Sequence, residues 1–132
     1  MIVRVLVVDD ESDVEVLFRQ QFRREVRQQL YELDFALSAS EALTILDGHV
    51  GEQIILLVSD INMPGMSGLD LLAVVRERRP DLPVFMISAY GDQQTIGTAL
   101  QRGARKFLTK PVNFAQLKQD VLAVMAAIGR SG

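Results

Sequence analysis

Short apolar runs alternate along this chain with longer stretches whose apolar residues recur every three or four positions. The runs at Ile2–Val8, Tyr31–Ser38, Gln53–Ser59, Val84–Ser88 and Lys106–Leu108 predict strands. The stretches at Asp13–Leu30, Ala39–Asp47, Leu69–Arg78, Gln93–Arg102 and Phe114–Ile128 predict helices. Capping signatures mark several helix starts. Ser12, Ser38 and Asn113 each stand three residues before Glu or Gln, and Ser67 stands three before Asp70. With Ser12 as a cap, Asp9, Asp10 and Glu11 fall in the loop between the first strand and the first helix.

Five strand–helix repeats imply a parallel sheet with helices on both faces, because parallel strands need crossover connections. "IVRVLVV", "IILLVS" and "VFMIS" are nearly continuous apolar runs, as expected of strands buried on both faces. "YELDFALS" alternates, with Tyr31, Leu33, Phe35 and Leu37 on one side and Glu32, Asp34 and Ser38 on the other, which is the pattern of an edge strand. "KFL" is short and suits the opposite edge. With right-handed crossovers the expected architecture is α/β, a five-stranded parallel sheet in the order 2-1-3-4-5, doubly wound and flavodoxin-like.

That order makes strands one and three neighbours at the point where the winding reverses, the usual ligand crevice of such sheets. Asp9 and Asp10 follow strand one and Asp60 ends strand three, so three carboxylates about fifty residues apart in sequence converge there. Ser88 ends strand four and Lys110 follows strand five, on the same edge of the sheet. Three close carboxylates must either raise their pKa values or share a cation. Oxygen ligands without cysteine favour a hard ion such as Mg2+, with Mn2+ as an alternative. Three carboxylates, one lysine and a divalent ion sum to zero, a site into which a phosphoryl group can come without net repulsion. Lys110 and the Ser88 hydroxyl are the candidate partners of its oxygens.

Composition adds bounds. At 132 residues, with 48% apolar and 23% charged, the chain is of single-domain size and ordinary globular make-up. It has no cysteine for disulfides or thiolate metal sites. No signal-peptide pattern or membrane-length apolar stretch occurs, so a cytoplasmic location and no membrane partner are expected. A net charge of −3 argues against nucleic acid. The basic run "RQQFRREVR", with Arg19, Arg23, Arg24 and Arg27, lies mostly off the stripe of Val14, Leu17, Phe18, Phe22 and Val26, as a solvated helix face would.

Asp9-Asp10, Asp60 within "DINMPGMSG", Ser88-Ala89 and Lys110-Pro111 together resemble the receiver domain of two-component response regulators, over 1–128, with 129–132 as a tail or the start of a linker. The resemblance implies that Asp60 accepts a phosphoryl group from a phosphohistidine of a sensor histidine kinase or phosphotransfer protein. It implies Mg2+ held by Asp10, Asp60 and the Asn62 backbone carbonyl, with Asp9 acting through water, and Lys110 paired with the phosphoryl group. Ser88 and Phe107 match the switch positions, Asn62 and Tyr90 stand where the reaction is tuned, and Lys110-Pro111 stands where the family has a cis peptide. Such a domain catalyses only its own phosphorylation and dephosphorylation and is otherwise not an enzyme.

The signal would be read on the face of the fourth helix, fifth strand and fifth helix. On the last helix Leu117, Val121, Val124 and Ile128 form the inward stripe, while Leu122, Met125 and Ala126 widen the apolar surface and suggest a partner there, a second copy among them. An output domain or separate effector is the other expected partner. The rival reading is a Mg2+-dependent phosphatase of the haloacid-dehalogenase type, which needs Asp-x-Asp after strand one, where this chain has Asp9-Asp10-Glu11 and no cap domain.

Overall fold

The computed structural model describes residues 2–131 apart from position 90, with side-chain burial to position 128. The strands β1 (Arg4–Val8), β2 (Glu32–Ala36), β3 (Ile54–Asp60), β4 (Val84–Ser88) and β5 (Lys106–Thr109) form one parallel sheet in the order β2-β1-β3-β4-β5. The helices are α1 (Ser12–Gln21), α2 (Arg23–Arg27), α3 (Ala39–Asp47), α4 (Gly68–Arg78), α5 (Gln93–Gln101) and α6 (Phe114–Ser131). Both the strand order and the two edge strands agree with the hydrophobic pattern.

Period-two alternation splits the core into two layers. Leu6, Val8, Leu57, Val84 and Met86 face α3, α4 and α5, whereas Val5, Val7, Val58, Phe85 and Ile87 face α1 and α6. All seven residues of β3 are buried, and the first five, Ile54 to Val58, are apolar, as expected of a strand covered on both faces. One bulge interrupts the register between β1 and β3, where Arg4 pairs with Ile54 but Val5 pairs with Leu56. The extra residue, Ile55, therefore shares the α1/α6 side with Leu56.

Several local expectations change. Ser12 is the first helical residue of α1 and not its cap; Glu11 precedes the helix and makes no side-chain cap bond. The cause is Asp9, whose Oδ1 accepts the Glu11 N–H at 2.9 Å and closes the loop one residue early. The single helix expected over Asp13–Leu30 breaks at Phe22, where the backbone turns to φ −103° and ψ 10°. The Phe22 ring there packs against Phe18, Tyr31 and Phe114 at centroid distances of 5.9, 6.0 and 6.1 Å. Leu37 falls beyond the end of β2 and is exposed, because Ser38 already caps α3 by accepting the Glu41 N–H at 3.1 Å. Leu17 and Ile128, both expected inside, are also exposed.

The other caps form as read: Ser67 accepts from Asp70 N–H at 3.2 Å and Asn113 from Gln116 N–H at 3.1 Å. Asp92 caps α5 through the Thr95 N–H at 2.7 Å, a cap that a search for Glu or Gln three residues on passes over.

Two glycines next to Pro64 do different work. Gly65 takes a φ of +76° in the turn, a conformation glycine enters without steric cost. Gly68 opens α4 directly against the β3 terminus, and a Cβ there would lie 2.0 Å from the Asp60 carbonyl oxygen. Gly97, in the interior of α5, faces open space. Gly68→Ala should therefore destabilise the fold by about 1–3 kcal/mol, as overpacking does, while Gly97→Ala should stabilise it by about 0.5–1 kcal/mol. Urea midpoints of the two variants, moving in opposite directions, check this.

Candidate functional site

The site is built from the carboxyl ends of three adjacent strands and the turn after a fourth. Val8 pairs with Ser59 across β1 and β3, so the next residues, Asp9 and Asp60, leave the sheet side by side. Each is anchored by the ladder: the Asp9 N–H donates to the Ala36 carbonyl at 3.1 Å, and the Ile61 N–H donates to the Ile87 carbonyl at 3.0 Å. Asp9 and Asp60 are buried and Asp10 is exposed. One carboxylate oxygen from each of the three lies within 4.8 Å of the others.

Lys110 closes the cluster. Its backbone N–H donates to the Ser88 carbonyl at 3.0 Å, which fixes the turn after β5 to the end of β4. Its Nζ then stands 3.2 Å from Asp60 Oδ2 and 3.5 Å from Asp9 Oδ2. The Lys110-Pro111 peptide is cis, as the resemblance implied. Asn62 bridges two strand ends. Its N–H donates to Asp60 Oδ1 at 3.3 Å, and its Nδ2 donates to Ser88 Oγ at 3.4 Å, a long and weak bond.

The electrostatics follow from burial and proximity. Burial pushes the Asp9 carboxyl above its ordinary value; the Glu11 N–H opposes this, Asp60 adds to it, and Lys110 works against it. For Lys110, burial pulls the ammonium down, but the attraction of Asp60 and Asp9 outweighs it and the net direction is up. One cation faces three carboxylates, so a second positive charge fits the crevice. The donor atoms are all oxygens, Asp10 is open to solvent, and burial already penalises the charge on Asp9. That combination suits a hard divalent ion that keeps part of its water shell.

The remaining candidates are placed as follows. Ser88 is fully buried at the end of β4, and its register partner on β5 is Thr109. Phe107, two residues earlier on β5, is half-buried against the α3/α4/α5 core layer. Tyr90 lies outside the described residues. Outside that set, His49 is exposed in its loop, Met63 is buried packing, and Met66 is exposed. An open groove of about 720 Å3 runs beside the carboxylates, shared by Asn62 and Ser88 with Met63, Leu69, Asp92 and Thr95. The hydrophobic pattern starts α4 at Leu69, one residue after Gly68. The close approach of Gly68 to Asp60 makes it a residue that positions the site, and the signal was a glycine at the first helical place directly after a serine cap.

On helix α6, Met125 packs into the α1/α6 core layer and is not surplus surface, while Leu122 and Ala126 are exposed. No helix among the described residues is long and apolar enough to cross a membrane.

Comparisons with known proteins agree with this geometry. The family model for the response regulator receiver domain matches residues 5–122. The chain is 36% identical over 124 residues to the response regulator protein PilR of Pseudomonas aeruginosa, covering 92% of this chain and 26% of that protein. It is 31% identical to the chemotaxis protein CheY1 of Helicobacter pylori, covering 92% of this chain and 96% of that protein. It thus spans about a quarter of the length of the first relative and nearly all of the second. Among solved structures, a CheY-like receiver domain protein from Methanospirillum hungatei superposes with a TM-score of 0.86 at 26% identity, over the whole of both chains. The CheX-CheY-BeF3-Mg+2 complex from Borrelia burgdorferi matches with a TM-score of 0.80 at 30% identity, over 93% of this chain and 89% of that one. By fold, by the placing of its acidic cluster and by sequence, the chain belongs to the receiver domains of two-component response regulators.

Proposed function

We propose that Asp60 is the phosphoacceptor of this receiver and that the crevice between β1 and β3 carries out phosphoryl transfer to it. The observation that supports this reading most directly is the buried Asp60 carboxylate held 3.2 Å from the Lys110 ammonium. A nucleophile needs a fixed position, and the end of a fully buried strand provides one. An Asp60 carboxylate oxygen attacks the phosphorus of a phosphohistidine on a sensor kinase or phosphotransfer protein. The new O–P bond makes an acyl phosphate as the P–N bond breaks, and the imidazole leaves with the bonding pair and takes a proton from solvent. Lys110 stands where it would pair with the phosphoryl oxygens, and the Ser88 hydroxyl is a further donor.

Asp10, Asp60 and the Asn62 backbone carbonyl are the groups that would hold Mg2+, with Asp9 acting through water. The ion, when bound, supplies positive charge that offsets the charge on the phosphoryl oxygens. Mn2+, which takes the same oxygen ligands, is the alternative ion. In this reading the only chemistry is the domain's own phosphorylation and dephosphorylation. The phosphatase alternative has no support from the comparisons, whose family match runs through the acidic loop and both strand ends that carry the site.

Phosphorylation adds negative charge and strong acceptors at Asp60. The Ser88 hydroxyl would be drawn toward them and Phe107 would move into the space released. The population shift would then be read on α5, β5 and α6 by an output domain, an effector or a second copy.

Incubation with Mg2+ and a small phosphodonor should add one phosphoryl group by intact-mass spectrometry, and Asp60→Asn should abolish it. An Asp60→Asn protein that still gains the mass would overturn the assignment. Mg2+ at about 100 times its Kd should stabilise the fold by about 2.7 kcal/mol, seen as a rise in Tm, and Asp10→Asn should remove most of that rise.

A pH effect follows from Asp9. Its folded pKa lies above the unfolded value, so the folded chain holds the proton more tightly and stability falls as pH rises through that window. In chelator-treated protein, Asp9→Asn should therefore be more stable than the parent at neutral pH. The gap should close at about pH 3, below the ordinary carboxylate range. Urea midpoints at the two pH values measure it.

A further inference from the structure

The arginine-rich segment after α1 has no part in the carboxylate site, and topology places it far away. Helix α1 starts at Ser12 on the carboxyl edge of the sheet and its ten residues run about 15 Å toward the opposite edge, where β2 begins at Glu32. Arg23, Arg24 and Arg27 lie on that far pole, exposed, and make no ion pair among the described residues. Their basic neighbours are neutralised. Arg19 pairs with Glu15 at 2.9 Å, and Lys118 of α6 pairs with Glu25 at 3.2 Å. Three uncompensated positive charges thus share one surface of a chain whose net charge is −3.

That surface is concave on both sides of α2. A polar cleft of about 580 Å3 lies between Arg23, Arg24, Arg27 and Lys118, with Gln20 and Gln28 at its border. A second groove of about 320 Å3 lies toward the β2 edge, with Val26 and Leu33 as its floor and Arg19, Arg23 and Arg27 as its walls. Arg23 and Arg27 line both. Their spacing of four residues places them one turn apart on the same helical face.

We infer that this pole is a docking surface for an acidic protein segment that also carries an apolar side chain. Carboxylates of such a segment reach Arg23, Arg24 and Arg27, where the guanidinium fork accepts them in bidentate fashion. Its apolar side chain fills the floor of Val26 and Leu33. The apolar floor favours protein over nucleic acid, whose phosphate backbone offers nothing to cover it, and the negative net charge of the chain disfavours an extended polyanion. Because the pole lies at the opposite edge of the sheet from Asp9, Asp10 and Asp60, the docked segment leaves the carboxylate crevice open. The surface therefore holds a partner in place while the crevice is free to react.

The test uses the full chain and three probes: a labelled peptide alternating Glu with Leu, the same peptide with each Leu replaced by Ser, and a short DNA duplex. The Glu-Leu peptide should bind, with amide shifts in NMR spectra confined to residues 19–36 and the neighbouring part of α6. The Ser peptide should bind at least several-fold more weakly, and affinity should fall as salt rises through the physiological range. The double variant Arg23→Glu/Arg27→Glu should lose the peptide and keep phosphoryl uptake at Asp60, which separates this inference from the proposed phosphotransfer. Both positions are exposed, so the variant should keep its Tm. DNA bound in preference to peptide, equal binding of the Glu-Leu and Ser peptides, binding unaffected by the double variant, or no binding by any probe would each overturn it.

Discussion

Everything at the candidate site depends on one constraint: two buried carboxylates leave adjacent parallel strands at the same level. Like charges so placed repel, and the fold tolerates them because it delivers a cation to the same spot. Lys110 comes from the far edge of the sheet, yet its backbone bond to the Ser88 carbonyl places its ammonium within reach of both Asp60 and Asp9. The balance is incomplete. One lysine against Asp9, Asp10 and Asp60 leaves negative charge in a partly desolvated crevice, which is the condition under which a divalent cation or a proton is taken up.

Rigidity and access are divided between strand and loop. β3 is buried along its length and carries Asp60 as its last residue, so the carboxylate inherits the order of the core. The segment after it is shaped by backbone fit: Gly65 turns the chain, and Gly68 lets α4 start against the Asp60 carbonyl. Asn62, on this loop, touches both the Asp60 carboxylate and the Ser88 hydroxyl. A change of charge at Asp60 under the proposed reading would therefore be felt at the end of β4 through a single residue. Under the same reading Phe107, packed on the same core layer as α5, would respond next.

The carboxylate site and the arginine surface lie at opposite edges of the sheet for a topological reason. Every strand's carboxyl end points to one edge, so polar residues that follow strands gather there; residues that precede strands gather at the other. The acidic loop 9–11 belongs to the first edge, and Arg23, Arg24 and Arg27 belong to the second. Under the two proposals, chemistry and docking are thus kept apart on a molecule of this size.

Much of this was legible in the sequence. Nearly continuous apolar runs mark β1, β3 and β4 as central strands, the alternation of "YELDFALS" marks an edge, and those patterns alone place Asp9, Asp10, Asp60, Ser88 and Lys110 on one rim. Periodicity carries this information because burial on one or two faces is imposed residue by residue. Packing between distant segments decided the rest. Ser12 lost its capping role to a bond between Asp9 and Glu11, α1 broke where Phe22 met Tyr31 and Phe114, and Ile55 was squeezed out of register between β1 and β3. Gly68 belongs to this second group: its place after a serine cap is visible in the sequence, but its close approach to Asp60 is set by three-dimensional contact. Local pattern records which way each residue faces; distances between surfaces that meet from opposite ends of the chain are set only when they close.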